Sequence, residues 1–72
     1  MGLQGVPMVQ KVTEVVGVSN QGFAKAAENA VSTAAKTLRN LRWFRVTELE
    51  GRITDQKVVE YHATVKIYFD LE

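Results

Sequence analysis

The hydrophobic and polar residues in the first half of the chain follow first a strand pattern and then a helix pattern. Residues 9–16 are rich in β-branched side chains, which predicts a strand that Gly17 ends. Across residues 21–40 the apolar side chains recur at helical spacing, and Ser19 or Asn20 is the expected N-cap. These apolar positions are Phe23, Ala27, Ala30, Ala34 and Leu38. The alanines among them predict a helix that lies close against a sheet.

The second half of the chain contains two longer strand patterns. Residues 41–52 form the first, and residues 58–71 form the second, which alternates regularly between apolar and polar side chains. The turn signal falls around residues 54–57, which predicts a loop longer than the tightest hairpin. The expected fold class is therefore α+β: a β-α-β-β protomer whose three-stranded antiparallel sheet is partly wrapped around one helix. Residues 1–7 are expected to form a mobile N-terminal tail, and residues 8–72 a single domain.

Trp43 falls on the side of its strand that faces away from the predicted core. Phe44 and Val46 share one face of the strand, and we expect the helix to cover that face together with the apolar side of the third strand. Trp43 and Arg45 share the other face, for which the chain supplies no covering element. A large exposed ring usually indicates a partner, which is another subunit, a nucleic acid or a flat ligand. From the residues alone, a subunit contact and a ligand site are equally good explanations of Trp43.

Composition narrows the class of protein further. The chain has 72 residues and no cysteine, so it can form neither disulfides nor thiolate metal sites. Domains of this size commonly need added stabilisation, and assembly is the remaining source. A net charge of +1 argues against a dedicated nucleic-acid binder, and no apolar run approaches a membrane span or a signal peptide. We therefore expect a cytoplasmic protein with no nucleic-acid or membrane partner.

Several segments of the chain form a recognisable combination: residues 10–19, residues 32–44 with the run Arg42-Trp43-Phe44, then Val46, the Gly51-Arg52-Ile53 triplet and residues 66–72. In these segments the chain resembles the dodecin family. Dodecins are small flavin-binding proteins that assemble as hollow spherical dodecamers. The resemblance implies that Trp43 stacks on the isoalloxazine ring, with two flavins lying between a symmetry-related pair of such tryptophans. It further implies a homododecamer that stores, buffers or sequesters riboflavin, FMN or lumichrome.

Three positions bear on how far the resemblance extends to the ligand site. His62 stands where the family typically has a glutamine whose amide bonds the polar edge of the flavin. A neutral imidazole imitates that amide only in part. Either His62 still faces the polar edge of the flavin, with weaker or pH-dependent binding, or it is a solvated surface histidine. Arg45 replaces a frequently acidic residue, and it either pairs with Glu48 or Glu60 or reaches a phosphate. Arg52 matches a common Gly-Arg pair that borders the pocket, and either it contacts the phosphate of FMN or it is solvated.

Catalysis is not expected from this set of residues. One histidine and no cysteine leave no triad or dyad that inspection can assemble, so the protein is expected not to be an enzyme. One alternative is a dodecameric structural or interaction protein whose flavin binding is weak or lost through His62, and another is a flavin-dependent enzyme. Some dodecins bind coenzyme A or metal ions. Coenzyme A stays open as a second ligand here, and no metal ligands are assigned.

Overall fold

Four elements of secondary structure follow one another in the order β-α-β-β. The computed structural model describes residues 9–71. The elements are β1 (Gln10–Ser19), α1 (Phe23–Ala34), β2 (Leu41–Thr54) and β3 (Lys57–Asp70). The strands form one antiparallel sheet in the order β1-β3-β2, so β3 is the central strand. This confirms the predicted fold class and element order, whereas the predicted tail at residues 1–7 lies outside the described residues.

Strand β1 continues through Gly17, so the prediction that this glycine ends the strand is wrong. Gly17 pairs with Ala63 on the side of the sheet that faces the helix. A Cβ atom added there would lie 1.9 Å from the backbone oxygen of Ala26. The glycine is therefore needed because the helix backbone passes directly over it, and the predicted close packing of the helix is confirmed.

Helix α1 is shorter than predicted at both ends. It begins after Gly22, which makes no side-chain capping bond, rather than after Ser19 or Asn20. It ends at Ala34 instead of near Asn40. A turn follows, in which the backbone N–H groups of residues 36–38 donate hydrogen bonds to the carbonyl groups of Thr33 and Ala34. Leu38 and Leu41 still pack against the core from outside the helix, which is why the periodic pattern extended too far.

The β2–β3 hairpin turns through two residues only, so the prediction of a longer loop is wrong. Asp55 and Gln56 connect Thr54 directly to Lys57, and they have φ angles of 54° and 68°. Positive φ at both central residues is the geometry of a type I′ turn, whose twist matches that of the flanking strands. The absence of glycine at Gln56 removes the usual sequence signal for this turn.

The core of the protomer is small because the helix covers only part of the sheet. A 12-residue helix is about 18 Å long, whereas a 14-residue strand spans about 47 Å. The helix contacts β1 and β3 and barely reaches β2. Among residues 9–71, the large side chains under 2% exposed are Val65 and Ile67. The other buried hydrophobic residues of this range are Ala26, Ala27, Ala30, Ala34 and Ala63. Within residues 9–71 no helix has the length and hydrophobicity of a membrane span.

Strand β2 is therefore exposed on both of its faces. Phe44 and Val46 lie opposite Ile67 and Val65 and so face the helix side, as predicted. They are nevertheless 49% and 38% exposed, because the helix does not reach them. The prediction that the helix covers this part of the sheet holds for Val65 and fails for the two β2 residues.

Candidate functional site

The sheet face opposite the helix is covered by no element of residues 9–71, and it is called the open face below. Its residues on β3 alternate with the buried Ala63, Val65 and Ile67, and the strand register fixes their neighbours on β1 and β2. Cross-strand partners on this face are Val12–Tyr68–Trp43, Glu14–Lys66–Arg45, Val16–Thr64–Glu48 and Val18–His62–Glu50. Glu60 and Arg52 form a further pair. The face is thus aromatic towards one end and polar towards the other.

Trp43 is exposed on the open face, as the alternation of its strand predicts. The residue is 62% exposed, and its ring packs against Tyr68, with ring centroids 5.4 Å apart and planes at 71°. This edge-to-face contact is a favoured geometry for two aromatic rings. The contact limits the freedom of the indole while leaving much of its surface accessible to a ligand or a subunit.

Arg45 and Lys66 lie directly opposite each other, next to the aromatic pair. Arg45 follows Trp43 by two residues on β2, so the two side chains share a face and are about 7 Å apart along the strand. Within residues 9–71 Arg45 forms no ion pair. Pairing with Glu48 or Glu60, one of the two predicted roles of Arg45, is therefore not seen in the protomer.

His62 lies in a polar cluster with Glu60 and Arg52. The Nε2 atom of His62 and the Nε atom of Arg52 lie 3.0 Å and 3.1 Å from the same carboxylate oxygen of Glu60. The hydrogen bond from His62, and then the one from Arg52, hold the pKa of Glu60 below its usual range. With Nε2–H donating to Glu60, a neutral His62 keeps Nδ1 as a free acceptor.

An irregularity at Thr47 decides which β2 residues share the face of His62. Val46 pairs with Val65 and Glu48 with Thr64, so Thr47 is an extra residue on β2. Such a bulge reverses the alternation beyond it. It turns Glu48, Glu50 and Arg52 onto the open face, where a regular strand starting from Trp43 would turn them to the helix side.

The two clusters on the open face are well separated. His62 and Tyr68 are six positions apart on β3, which corresponds to about 20 Å along the strand. That distance exceeds the length of a three-ring system such as isoalloxazine. The backbone positions of Trp43 and His62, and likewise those of Trp43 and Arg52, therefore lie in different parts of the open face of one protomer.

A hydrogen-bonded carboxylate, that of Asp70, lies at the end of the sheet beside Trp43. The carboxylate of Asp70 accepts hydrogen bonds from Arg42 Nε at 2.7 Å and from Gln10 Nε2 at 3.0 Å, which links all three strands. The bond from Arg42, and then the one from Gln10, lower the pKa of Asp70. This contact fixes the edge of the sheet from which Trp43 projects.

Sequence reasoning did not assign site roles to Tyr68, Lys66 and Glu60. The signal that could have found them is the hairpin register. Counting outward from a turn at residues 55–56 pairs Trp43 with Tyr68 and Arg45 with Lys66, as the structure does. A longer loop at residues 54–57, as expected from the sequence, does not define this register.

The chemistry of the open face suits binding of a flat, polar-edged molecule. It offers an accessible indole, two cations and a carboxylate–imidazole pair. Within residues 9–71 no group of three or more His, Cys, Asp or Glu side chains could hold a metal ion. The face thus provides an aromatic surface and hydrogen-bonding groups but no metal ligand set.

Comparison with known proteins gives a consistent result. A family model described as Dodecin matches residues 9–72. A Dodecin from Thermus thermophilus is 42% identical over 64 residues, covering 89% of this chain and 93% of its own. The structure of dodecin from Streptomyces coelicolor matches with a TM-score of 0.87 and 45% identity, over 90% of this chain and 93% of that one. A calcium-chelating antigen from Mycobacterium tuberculosis, calcium dodecin, matches with a TM-score of 0.78 and 25% identity, over 89% and 91% of the two chains.

Proposed function

The chain belongs to the dodecin family, and on that premise we propose that it binds flavins for storage or sequestration within a homododecamer. The observation that carries the proposal is the exposed indole of Trp43, held edge-on by Tyr68. A riboflavin, FMN or lumichrome ring stacks on this indole, and a symmetry-related Trp43 covers the other side of a flavin pair.

The exposed area of Trp43 is large enough to supply useful binding energy. A tryptophan buries up to about 250 Å² when it is covered, and 62% of its surface is still available here. Covering roughly 150 Å² at about 25 cal/mol per Å² corresponds to ~4 kcal/mol before the cost of ordering the ligand. The pre-positioning of the ring by Tyr68 reduces that cost.

Assembly of many copies is supported by the small core. Large hydrophobic side chains stay exposed along β1 and on both faces of the hairpin, among them Val16, Leu49, Ile53 and Val58. A monomer rarely leaves so much apolar surface in water. Twelve copies have a mass of about 96 kDa, twelve times the 8.0 kDa of one chain.

Each flavin site combines residues of more than one subunit. Because Trp43 and His62 of one chain are about 20 Å apart, a flavin stacked on Trp43 meets the His62 of a neighbour. The same distance argument applies to Arg52, which is already bonded to Glu60. Flavin binding therefore requires the assembled protein.

His62 provides a different hydrogen-bonding edge from the glutamine common in the family. With its Nε2–H directed to Glu60, neutral His62 offers Nδ1 as an acceptor for the N3–H of the flavin. A protonated imidazole instead donates from both nitrogens and cannot accept that bond. Glu60, Arg52 and Glu50 are the charged groups around the imidazole.

Binding rather than catalysis fits these residues. His62 is hydrogen-bonded to a carboxylate, not to a hydroxyl or thiol that it could activate. A flavin pair enclosed between two indoles leaves little space for a substrate beside its reactive ring. We place this storage function in the cytoplasm, in keeping with a chain that contains no cysteine.

The test is fluorescence quenching of riboflavin and lumichrome by the purified protein, together with its mass in solution. The wild-type protein is expected to quench both ligands and to have the mass of a dodecamer. Trp43→Ala is expected to keep that mass and to weaken binding by about 100-fold or more, equivalent to ~2.8 kcal/mol. Trp43→Phe keeps a smaller ring and should fall between the two.

Three outcomes would redirect the proposal. A wild-type dodecamer that leaves flavin fluorescence unchanged, and gains binding on His62→Gln, indicates a structural or interaction protein. Loss of the dodecamer in Trp43→Ala makes Trp43 an anchor of the assembly. Rapid reduction and reoxidation of the bound flavin by a substrate would establish an enzyme.

A further inference from the structure

Two cations face each other on the open face, immediately beside the aromatic pair. Arg45 on β2 and Lys66 on β3 are direct cross-strand partners, and the next partners on the same face are Trp43 and Tyr68. Like charges placed directly opposite on neighbouring strands are destabilising. The opposed charges therefore destabilise the pairing of β2 and β3 next to Trp43, where a ligand would stack.

In the part of the protomer that the structure describes, these two cations take part in no close ion pair. Within residues 9–71 neither Arg45 nor Lys66 forms an ion pair or a hydrogen bond through its side chain. Glu14 is the partner of Lys66 on β1, but no nitrogen–oxygen contact of 4.0 Å or less joins them. Asp70, at the end of the sheet beside Trp43, is held by Arg42 and Gln10.

We propose that Arg45 and Lys66 bind the phosphate of a phosphorylated flavin stacked on Trp43, and so give the protein a preference for FMN over riboflavin. The inference rests on the flavin site proposed above. A phosphate monoester carries roughly −1.5 to −2 charges at pH 7, which matches a pair of cations. Its contacts with Arg45 and Lys66 are charge-assisted hydrogen bonds, the stronger class of such bonds.

Arg45 is better placed for this role than Arg52. Arg45 lies about 7 Å from Trp43 along the same strand, within the reach of its long side chain. Arg52 lies beyond the polar cluster at the far end of the open face and is bonded to Glu60. The phosphate thus contacts cations of the subunit that supplies the stacking indole, while the polar edge of the ring meets a neighbouring subunit.

The test compares FMN with riboflavin, because the two ligands share one ring system and differ in the phosphate. At low ionic strength the wild-type dodecamer is expected to bind FMN about tenfold more tightly, equivalent to ~1.4 kcal/mol. The advantage should shrink near 1 M salt, where the screening length is only ~3 Å. The double variant Arg45→Gln with Lys66→Gln should lose the advantage and bind riboflavin within about twofold of wild type.

Lys11→Gln is the matched control. It removes one positive charge from the exposed part of β1, but Lys11 is the partner of Phe69 and lies on the opposite face of the sheet. Its ratio of FMN to riboflavin affinity should equal that of the wild type. Inorganic phosphate added at increasing concentration should compete with FMN and leave riboflavin binding unchanged.

The outcomes separate this inference from the proposed function. Equal affinity of the wild type for FMN and riboflavin overturns the phosphate site and leaves the flavin site intact. Parallel losses of FMN and riboflavin binding in the double variant also overturn it, because they indicate a structural role. Failure of the wild type to bind either flavin removes the proposed function and this inference together.

Stability without ligand provides a second readout. Removing two opposed cations should leave the melting temperature of the ligand-free double variant unchanged or raise it. A lower melting temperature together with a smaller assembly overturns the inference, since it would show that carboxylates of a neighbouring copy neutralise Arg45 and Lys66.

Discussion

Replacing Gly17 with alanine would place a methyl group where the backbone of α1 now lies. The added Cβ would lie 1.9 Å from the backbone oxygen of Ala26 and 2.9 Å from the Cβ of Ala30. Gly17 is not among the residues with positive φ, so alanine can adopt its backbone conformation. The effect of the substitution is therefore steric and arises only from the contact between helix and sheet.

The size of the effect follows from the movement that the clash requires. An ordinary contact begins at 3.4 Å, so the nearest atoms must separate by 1.5 Å. Because both obstructing groups belong to the helix, α1 must move as a unit away from the sheet, and its buried alanines lose their packing. Overpacking typically costs about 1–3 kcal/mol, and we expect the upper end of that range. For a domain of this size, ~3 kcal/mol lowers the melting temperature by roughly 12–24 °C.

The assay is thermal unfolding of Gly17→Ala beside Gly51→Ala, which makes the same chemical change on β2. A Cβ at Gly51 would meet its nearest neighbour, the backbone oxygen of Glu60, at 3.1 Å, so a shift of a few tenths of an ångström suffices. We expect Gly51→Ala to stay within about 1 kcal/mol of the wild type. Both are measured at one protein concentration, because assembly makes the melting temperature concentration-dependent. Equal destabilisation by the two variants would refute the close approach of α1 to β1.

Two further predictions concern the hairpin turn and the end of the sheet. Gln56→Gly should stabilise the protein by about 0.5–1 kcal/mol, because glycine adopts the positive φ of this turn without strain. Chemical denaturation measures this change, and an unchanged midpoint would argue against the type I′ geometry. The lowered pKa of Asp70 means that its contribution to stability is present above the unfolded pKa, near 4, and is lost as the pH falls through the lower folded value. Asp70→Asn should weaken the dependence of the denaturation midpoint on pH between pH 5 and pH 2, and an identical dependence in both proteins would contradict this assignment.

The element order could be predicted from the sequence because hydrophobic period reports which face of an element is buried. Period two on β3 correctly placed Val65 on the helix side and His62 on the other. The hydrophobic period does not show where one backbone approaches another, which is why the sequence pattern wrongly predicts that the strand ends at Gly17. The helical spacing of apolar residues also continues past the end of the helix, because Leu38 packs on the same core from the turn that follows.

The candidate site could be predicted only in part, because it depends on pairing between distant residues. Exposure of Trp43 follows from the alternation of one strand. The bulge at Thr47 has no local signature in the sequence, and it alone turns Glu50 and Arg52 onto the open face. The bond between Glu60 and His62 also joins side chains whose rotamers no periodic pattern specifies.

The separation of the two clusters on the open face ties the proposed flavin site to the stability of the fold. Within one protomer the backbone positions of Trp43 and His62 are about 20 Å apart along the sheet. The hairpin that carries both extends beyond the helix and leaves Leu49 and Ile53 exposed. In the proposed dodecamer, the neighbour that buries these apolar side chains is also the source of the second half of each flavin site. A ligand that bridges two subunits binds the assembled state only, so it must stabilise that state by mass action. Riboflavin or FMN should therefore raise the melting temperature of the wild-type dodecamer but leave that of Trp43→Ala unchanged, and an equal rise in both would separate flavin binding from the indole.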